Sequence, residues 1–305
     1  IDVYDKVCWY LPGFKNQQVL TENGPEPAKS EVSIKNLLDM TSGCCYPDAS
    51  FPAGAEMQKL YDRMAADVAE GRPWDTVTLA NEIGKQPLAF HPGEKWMYGT
   101  SADVLGAVIE VVTGMKFGEF LRREIFEPLG MTDTDFYCPE DKLYRFAENY
   151  EPTDKGLIPC CWQHLGLTYL CRRKPEFESG GAGLCSTMDD YAAFAEMLLC
   201  GGVYNGRRIL SQNAVDYLTT AQLTPAQRSC FDWEQHVGCS YGNLMRVCVE
   251  PELAGPSTHY GEYGWDGWLG SFFQNDPEGG YTFLYFIQRC GGLGIRPVRL
   301  IKQIV

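Results

Sequence analysis

The chain has 305 residues, 45% hydrophobic and 13% aromatic, which is ample for a buried core and far from a disordered composition. Its formal net charge is −14, and its one dense basic run is Arg172-Arg173-Lys174, so a nucleic-acid-binding surface is set aside. No stretch has the apolar length needed to span a membrane, and the length suits two lobes or one large domain.

In chain order, IDVYDKVCWYLPGFK (1–15) reads as irregular chain with a Pro12-Gly13 turn, followed by the turn-rich NGPEPAKS of 23–30. SIKNLLDMTSG (33–43) reads as a short helix capped by Ser33 and ended by Ser42-Gly43. Residues 56–71 place Met57, Leu60, Met64 and Val68 at helical spacing. A Pro92-Gly93 turn then delivers Tyr98 just ahead of a helix over 101–112, whose stripe is Val104, Leu105, Val108, Ile109 and Val112. Thr100 and Asp103 have the spacing of a capping box. A helical pattern over 117–130 precedes a Cys- and Pro-containing segment, 138–177, expected to lie over the site and shape specificity. The Gly-rich ESGGAGLCST (178–187) leads into a helix over 188–199, and a further short helix begins after Ser211.

From Val237 the pattern turns to aromatic and β-branched residues with Gly punctuation. It is plainest in WLGSFFQ-NDPEGG-YTFLYFIQ (268–288), a strand, a turn and a strand. The expected architecture is α+β: a mostly helical region over 1–236, then antiparallel sheet over 237–305.

The residues alone offer four candidates for chemistry. The thirteen cysteines include the adjacent pairs Cys44-Cys45 and Cys160-Cys161 but no C-x-x-C, so they read as reduced, mostly buried thiols of a cytoplasmic protein. His91, His164, His236 and His259 are scattered in the chain and match no metal-ligand spacing; no metal or other cofactor is expected. GCSYG (238–242) satisfies G-x-S-x-G, but a nucleophile elbow requires a helix after Ser240, and NLMRVCVE reads as strand. Tyr98 stands at the start of a helix, where packing is the ordinary role of an aromatic. A phenol with a pKa near 10 acts as a proton carrier only where a cation or neighbouring groups assist it.

Six stretches shift that balance: IDVYDKVCWYLPGFK, SIKNLLDMTSG, HPGEKWMYGTSADVLGAVIEVVTG, FLRREIFEPLGMTDTDF, SGGAGLCSTMDDYAAFAEMLLCGG and YGWDGWLGSFFQNDPEGG. In this order they resemble the serine β-lactamase-like family of class C β-lactamases, DD-peptidases and related carboxylesterases, over nearly the whole chain. The resemblance implies a β-lactamase/transpeptidase-like fold, with an antiparallel sheet flanked by helices against a mostly helical domain. It also implies an acyl-enzyme formed by the serine of S-x-x-K. Tyr98 matches the tyrosine of the Y-x-N motif, with Thr100 in place of Asn. Trp265-Asp266-Gly267 matches the W-G-G version of the third motif found in esterase-type members, with Asp266 in place of a small residue. The accompanying G-T and D-P appear as Gly270-Ser271 and Asp276-Pro277. The backbone N–H of Trp268, following Gly267, falls where an oxyanion donor is expected.

No serine in the chain stands in S-x-x-K, and Thr113-x-x-Lys116 lies too far along its helix to meet Tyr98. In the family the S-x-x-K helix and outer sheet strands precede the segment matched by Ile1 to Lys15, so the nucleophilic serine and its lysine are expected upstream of Ile1. The expected function is a serine hydrolase acting on a small ester or amide, more esterase than penicillinase, because Trp265 offers no charge to a substrate carboxylate. A chain without the nucleophile is expected to be inactive on its own, and the rival reading is a binding protein that has lost it.

Overall fold

A computed structural model of the chain describes residues 1–160, 163–168 and 170–304; Cys161 of the second adjacent pair lies outside them. Single-turn 3-10 segments at Val7–Trp9 and Pro12–Phe14 lead into the hairpin β1 (Gln18–Thr21) and β2 (Gly24–Pro27), so the turn-rich opening is more ordered than its composition suggests. The helices α1 (Ile34–Leu38), α2 (Pro52–Ala69), α3 (Thr76–Gly84) and α4 (Ser101–Thr113) follow. Next come α5 (Phe117–Leu121), a π-helical turn at Arg122–Phe126 and α6 (Glu127–Leu129).

Within 138–177 the chain forms a 3-10 turn at Glu140–Arg145 and two hairpins, β3 (Tyr150–Thr153) with β4 (Gly156–Pro159) and β5 (Gln163–His164) with β6 (Leu167–Thr168). Beyond it lie α7 (Met188–Leu199), the small hairpin β7 (Val203–Tyr204) with β8 (Arg207–Arg208), α8 (Gln212–Leu218) and α9 (Pro225–Arg228). The C-terminal part carries β9 (Cys239–Gly242), β10 (Met245–Cys248), α10 (Pro251–Ala254), β11 (Tyr263–Asp266), β12 (Phe272–Asp276), β13 (Tyr281–Tyr285) and α11 (Ile295–Lys302).

The caps explain the helix starts. Ser33 and Asn36 form a reciprocal capping box on α1, and Thr187 and Ser211 accept the N3 amides of α7 and α8. Gly114, at φ +69°, closes α4 in the left-handed conformation. Val104, Ala107 and Val108 carry its buried face, whereas Val112, at the end of the expected stripe, is 47% exposed.

Strands β9 to β13 form one five-stranded sheet ordered β13-β12-β11-β10-β9, with every neighbouring pair antiparallel. Ala195, Met197 and Leu198 of α7 pack with Val247, Tyr263 and Phe273 of the sheet, while Val298 of α11 packs with Phe272 and Phe283. Phe126 and Leu129 belong to the first of these clusters, so the sheet's core draws on residues well before the 236/237 line. A separate core of Leu11, Phe14, Leu37, Leu60, Leu79, Ile83 and Val104 fills the helical region. Between the two, Met40 and Trp96 meet Phe231 and Tyr241, with Tyr98 and Trp265 packed against them. That junction holds the candidate site.

Candidate active site

Two backbone hydrogen bonds pin the HPGEKWMYGT segment to the end of α1: Gly93 N–H to Thr41 O at 2.8 Å and Met97 N–H to Met40 O at 2.9 Å. Gly99 then passes so close to the 44–45 backbone that a β-carbon there would lie 2.0 Å from Cys44 O, which only glycine avoids. The tight crossing fixes Tyr98 at the junction. Its phenol oxygen accepts a hydrogen bond from Trp265 Nε1 at 3.1 Å, and the two rings lie 5.2 Å apart. Trp233 and Tyr46 meet the Tyr98 ring edge-on, each at 5.7 Å.

This environment makes Tyr98 a weak acid. Burial pushes its pKa up to about 12; the Trp265 N–H works the other way, and the carboxylates of Asp266 and Asp103 add to the rise. As it stands, the phenol is neutral across the physiological range.

Thr100 and Asp103 do not form the expected capping box. Thr100 precedes α4 with no side-chain cap, and its buried hydroxyl has no hydrogen-bond partner among the described residues. Asp103 is turned instead toward the Gly-rich segment, where Oδ1 accepts from Ser179 Oγ at 2.5 Å and from Gly181 N at 3.1 Å. Burial raises the Asp103 pKa against those donors. The carboxylate thus fastens ESGGAG to the first turn of α4. Gly180 permits the contact, since a β-carbon there would lie 2.3 Å from Ala102 O.

At the third motif, Trp265 and Asp266 end β11, with Trp265 in register with Phe273 and Asp266 with Phe272. Asp266 Oδ1 pairs with Arg246 Nη1 at 2.7 Å, and the Arg246 guanidinium lies 5.0 Å from the Phe272 ring centre. The Arg246 side chain is only 7% exposed, so the ion pair satisfies a cation that the sheet buries. Gly267 donates its N–H to Ser271 O at 2.7 Å and accepts from Gly270 N at 2.8 Å, closing the turn into β12. Trp268 lies on that turn, its ring stacked on His164 of the 138–177 segment at 4.7 Å. Tyr98, Trp265 and Asp266 are therefore gathered at one place, with Gly267 and Trp268 on the adjoining turn and Thr100 buried two residues after Tyr98.

Ser240 sits mid-strand in β9, buried, with a two-residue Asn243-Leu244 turn and β10 after it. No helix follows, so the nucleophile-elbow geometry is absent. The histidines fill four different settings. His91 bonds Glu26 Oε1 at 2.9 Å, and His164 stacks on Trp268. His236 is buried among aromatics, and His259 bonds Asp276 Oδ2 at 2.5 Å. His259, Glu262 and Asp276 do bring one potential metal-ligand atom each within 4.8 Å of one another, a grouping that sequence spacing does not reveal. Each is already engaged: Lys302 and Gln274 bond Glu262, and Gly279 N–H bonds Asp276.

Sequence reasoning missed Arg246 and the aromatic wall of Trp96, Phe231, Trp233 and His236. Trp96 stacks edge-on against Phe231 at 4.7 Å, and His236 lies face to face with Phe231 at 3.9 Å and 5.3 Å from Trp265. The density of aromatics in CFDWEQH (230–236) was the one available signal.

The β-lactamase family model matches residues 1–302, and the chain belongs to that family. It is 30% identical to protein Rv1367c of Mycobacterium tuberculosis over 277 residues, covering 88% of this chain and 65% of that protein. It is 30% identical to the lovastatin esterase of Penicillium rubens over 305 residues, covering 97% of this chain and 70% of that one, and 29% identical to esterase EstB of Burkholderia gladioli. Among solved structures, EstCE1, a hydrolase with promiscuous acyltransferase activity, superposes with a TM-score of 0.77 at 22% identity, over 99% of this chain and 77% of that one. These superpositions give the fold as β-lactamase/transpeptidase-like. The chain spans about two thirds of the length of the curated relatives it matches, 65% and 70% for the two above.

Proposed function

We propose that this chain is the greater part of a serine hydrolase that acts through an acyl-enzyme on a small, neutral ester or amide, with Tyr98 as its proton carrier. The supporting observation is the Trp265 Nε1 to Tyr98 hydroxyl contact, 3.1 Å across 167 residues of chain, which brings two separate motifs to one point. The esterases among the relatives support the same reading.

In this scheme a serine hydroxyl attacks the substrate carbonyl, and Tyr98 takes its proton and passes it to the leaving group. A phenol with its pKa near 12 does this only beside a cation, which lowers the cost of phenolate. The S-x-x-K segment that would provide both serine and lysine is proposed to lie upstream of Ile1. The Trp268 N–H is proposed to share the developing oxyanion with the serine's own N–H. Arg246, held by Asp266, has no free charge to offer a substrate carboxylate, and the Trp265 indole suits a neutral acyl or alcohol group.

The full-length protein, including the sequence upstream of Ile1, should hydrolyse a short-chain nitrophenyl ester and be labelled on serine by a fluorophosphonate. A full-length protein that contains S-x-x-K yet shows neither reaction would contradict the proposal and favour the binding-protein reading.

A further inference from the structure

The cysteines read from the sequence as reduced, mostly buried thiols, and the described ones stand as free thiols in the fold, yet six of them meet in three pairs. Cys239 and Cys248 face each other across β9 and β10. The two-residue turn at Asn243-Leu244 makes Gly242 and Met245 a hydrogen-bonded pair, and alternation along the ladder makes Cys239 and Cys248 a non-hydrogen-bonded one. At such positions the α-carbons lie about 4.5 Å apart, within the range a disulfide spans. Their side chains are in hydrogen-bonding contact. Both are buried, at 8% and 2% exposure.

The second pair is Cys171 with Cys185, again in side-chain contact. Cys171 O accepts from Cys138 N at 2.6 Å, and the Cys185 backbone bridges to Asp135, so two strands of chain converge there. The third pair is Cys160 with Cys290. Their N–H groups bond the successive carbonyls Asn149 O and Tyr150 O at 2.7 and 2.8 Å, which ties both backbones to one segment, and the two side chains are in hydrogen-bonding contact. Cys138 adjoins the second pair, with its Sγ 3.7 Å from Pro139 O, and other described cysteines lie elsewhere. Cys44 and Cys45 are buried neighbours whose thiols are pushed up to about 11 and about 12 by desolvation, and Cys8 bonds Glu31.

We propose that Cys239–Cys248, Cys171–Cys185 and Cys160–Cys290 form three disulfides, two of which fasten the 138–177 segment to the body of the fold. Each bond forms by thiol–disulfide exchange. One cysteine thiolate attacks an external disulfide, of the oxidised-glutathione or oxidoreductase class, giving a mixed disulfide and releasing one thiol. The partner thiolate then displaces the second. Two protein thiols lose two electrons and two protons, and the external disulfide becomes two thiols. Three such bonds fit an oxidising compartment, in place of the reducing one that the cysteine count suggests. Cys171–Cys185 joins the end of 138–177 to the Gly-rich segment that Asp103 holds. Cys160–Cys290 joins its middle to the chain beyond β13.

The test equilibrates the full-length folded protein in an oxidised glutathione buffer, unfolds it in denaturant with N-ethylmaleimide present to block every free thiol, and maps linked peptides by mass spectrometry. The expected result is the three named linkages, with Cys8, Cys44, Cys45, Cys138, Cys200 and Cys230 alkylated. Full alkylation of any of the three pairs after this treatment, or linkage through Cys138 or Cys161 instead, overturns that pair. Limited proteolysis reads the fastening separately: reduction with dithiothreitol should speed cleavage within 138–177 at least tenfold, and equal rates with and without reductant would contradict it.

Discussion

A phenol held against an indole, walled by three further aromatic rings, has little water to stabilise its anion, and burial accordingly dominates the Tyr98 pKa. Residue by residue, burial holds the titratable rings around Tyr98 in their neutral forms. Desolvation places Tyr46 and Tyr241 above the ordinary tyrosine range, and it places His236 at about 3, with Arg246 adding to the fall. His236 therefore stays uncharged in the fold, yet titrates near 6.5 in the unfolded chain. Between those values the unfolded state binds the extra proton, so this group's contribution falls as pH drops below 6.5. Replacing it by a ring that cannot titrate, His236→Phe, should remove that dependence. Denaturant unfolding at pH 7 and pH 5 should show the wild type losing about 2 kcal/mol more than the variant. Equal losses in the two proteins would refute the assignment.

At the scale of elements, the site is a meeting of three segments. The turn before α4 presents Tyr98, the end of β11 presents Trp265 and Asp266, and the stretch between α9 and β9 adds Trp233 and His236. Two polar clasps hold these pieces in place: Asp103 on Ser179 and Gly181, and Arg246 on Asp266. The second clasp makes a clear prediction. Asp266→Ala leaves a guanidinium that is 7% exposed without its partner and should cost about 2–3 kcal/mol, the low end for a buried pair because Asp266 itself is 28% exposed. Asp266→Asn, which keeps an acceptor, should cost less. An unchanged urea midpoint for Asp266→Ala would show that the ion pair contributes nothing.

For the whole molecule, most helices were legible because local signals agree with tertiary placement. Met188–Leu199 has its Thr187 cap, its apolar stripe and its glycine stop, and it forms over the expected residues. The strand-turn-strand of 268–288 was legible for the same reason, although β12 starts at Phe272 because Gly267 to Ser271 are spent on a turn. The α3 helix and the C-terminal α11 were not foreseen: α3 is a nine-residue segment whose Asp75 cap and buried Leu79, Ala80 and Ile83 make only a short periodic signal, and α11 begins after a glycine-rich stretch. Of the site, Tyr98, Trp265 and Asp266 were found through ordered motifs. Arg246 was not, because a lone arginine in a strand looks solvent-facing until Asp266 is seen across β10 and β11. The capping role assigned to Asp103 failed for a related reason: its spacing from Thr100 is local, while its actual partners, Ser179 and Gly181, lie 76 and 78 residues away.

Tyr98 is proposed as a proton carrier rather than a packing residue, and one substitution separates the two roles. Tyr98→Phe in the full-length protein keeps the ring, its burial and its aromatic neighbours and removes only the hydroxyl. Steady-state hydrolysis of a nitrophenyl ester should fall by about 10²- to 10⁴-fold in kcat/KM, with thermal stability within about 1 kcal/mol of the wild type. A Tyr98→Phe protein that turns over the ester as fast as the wild type would place Tyr98 in the core and not in the chemistry.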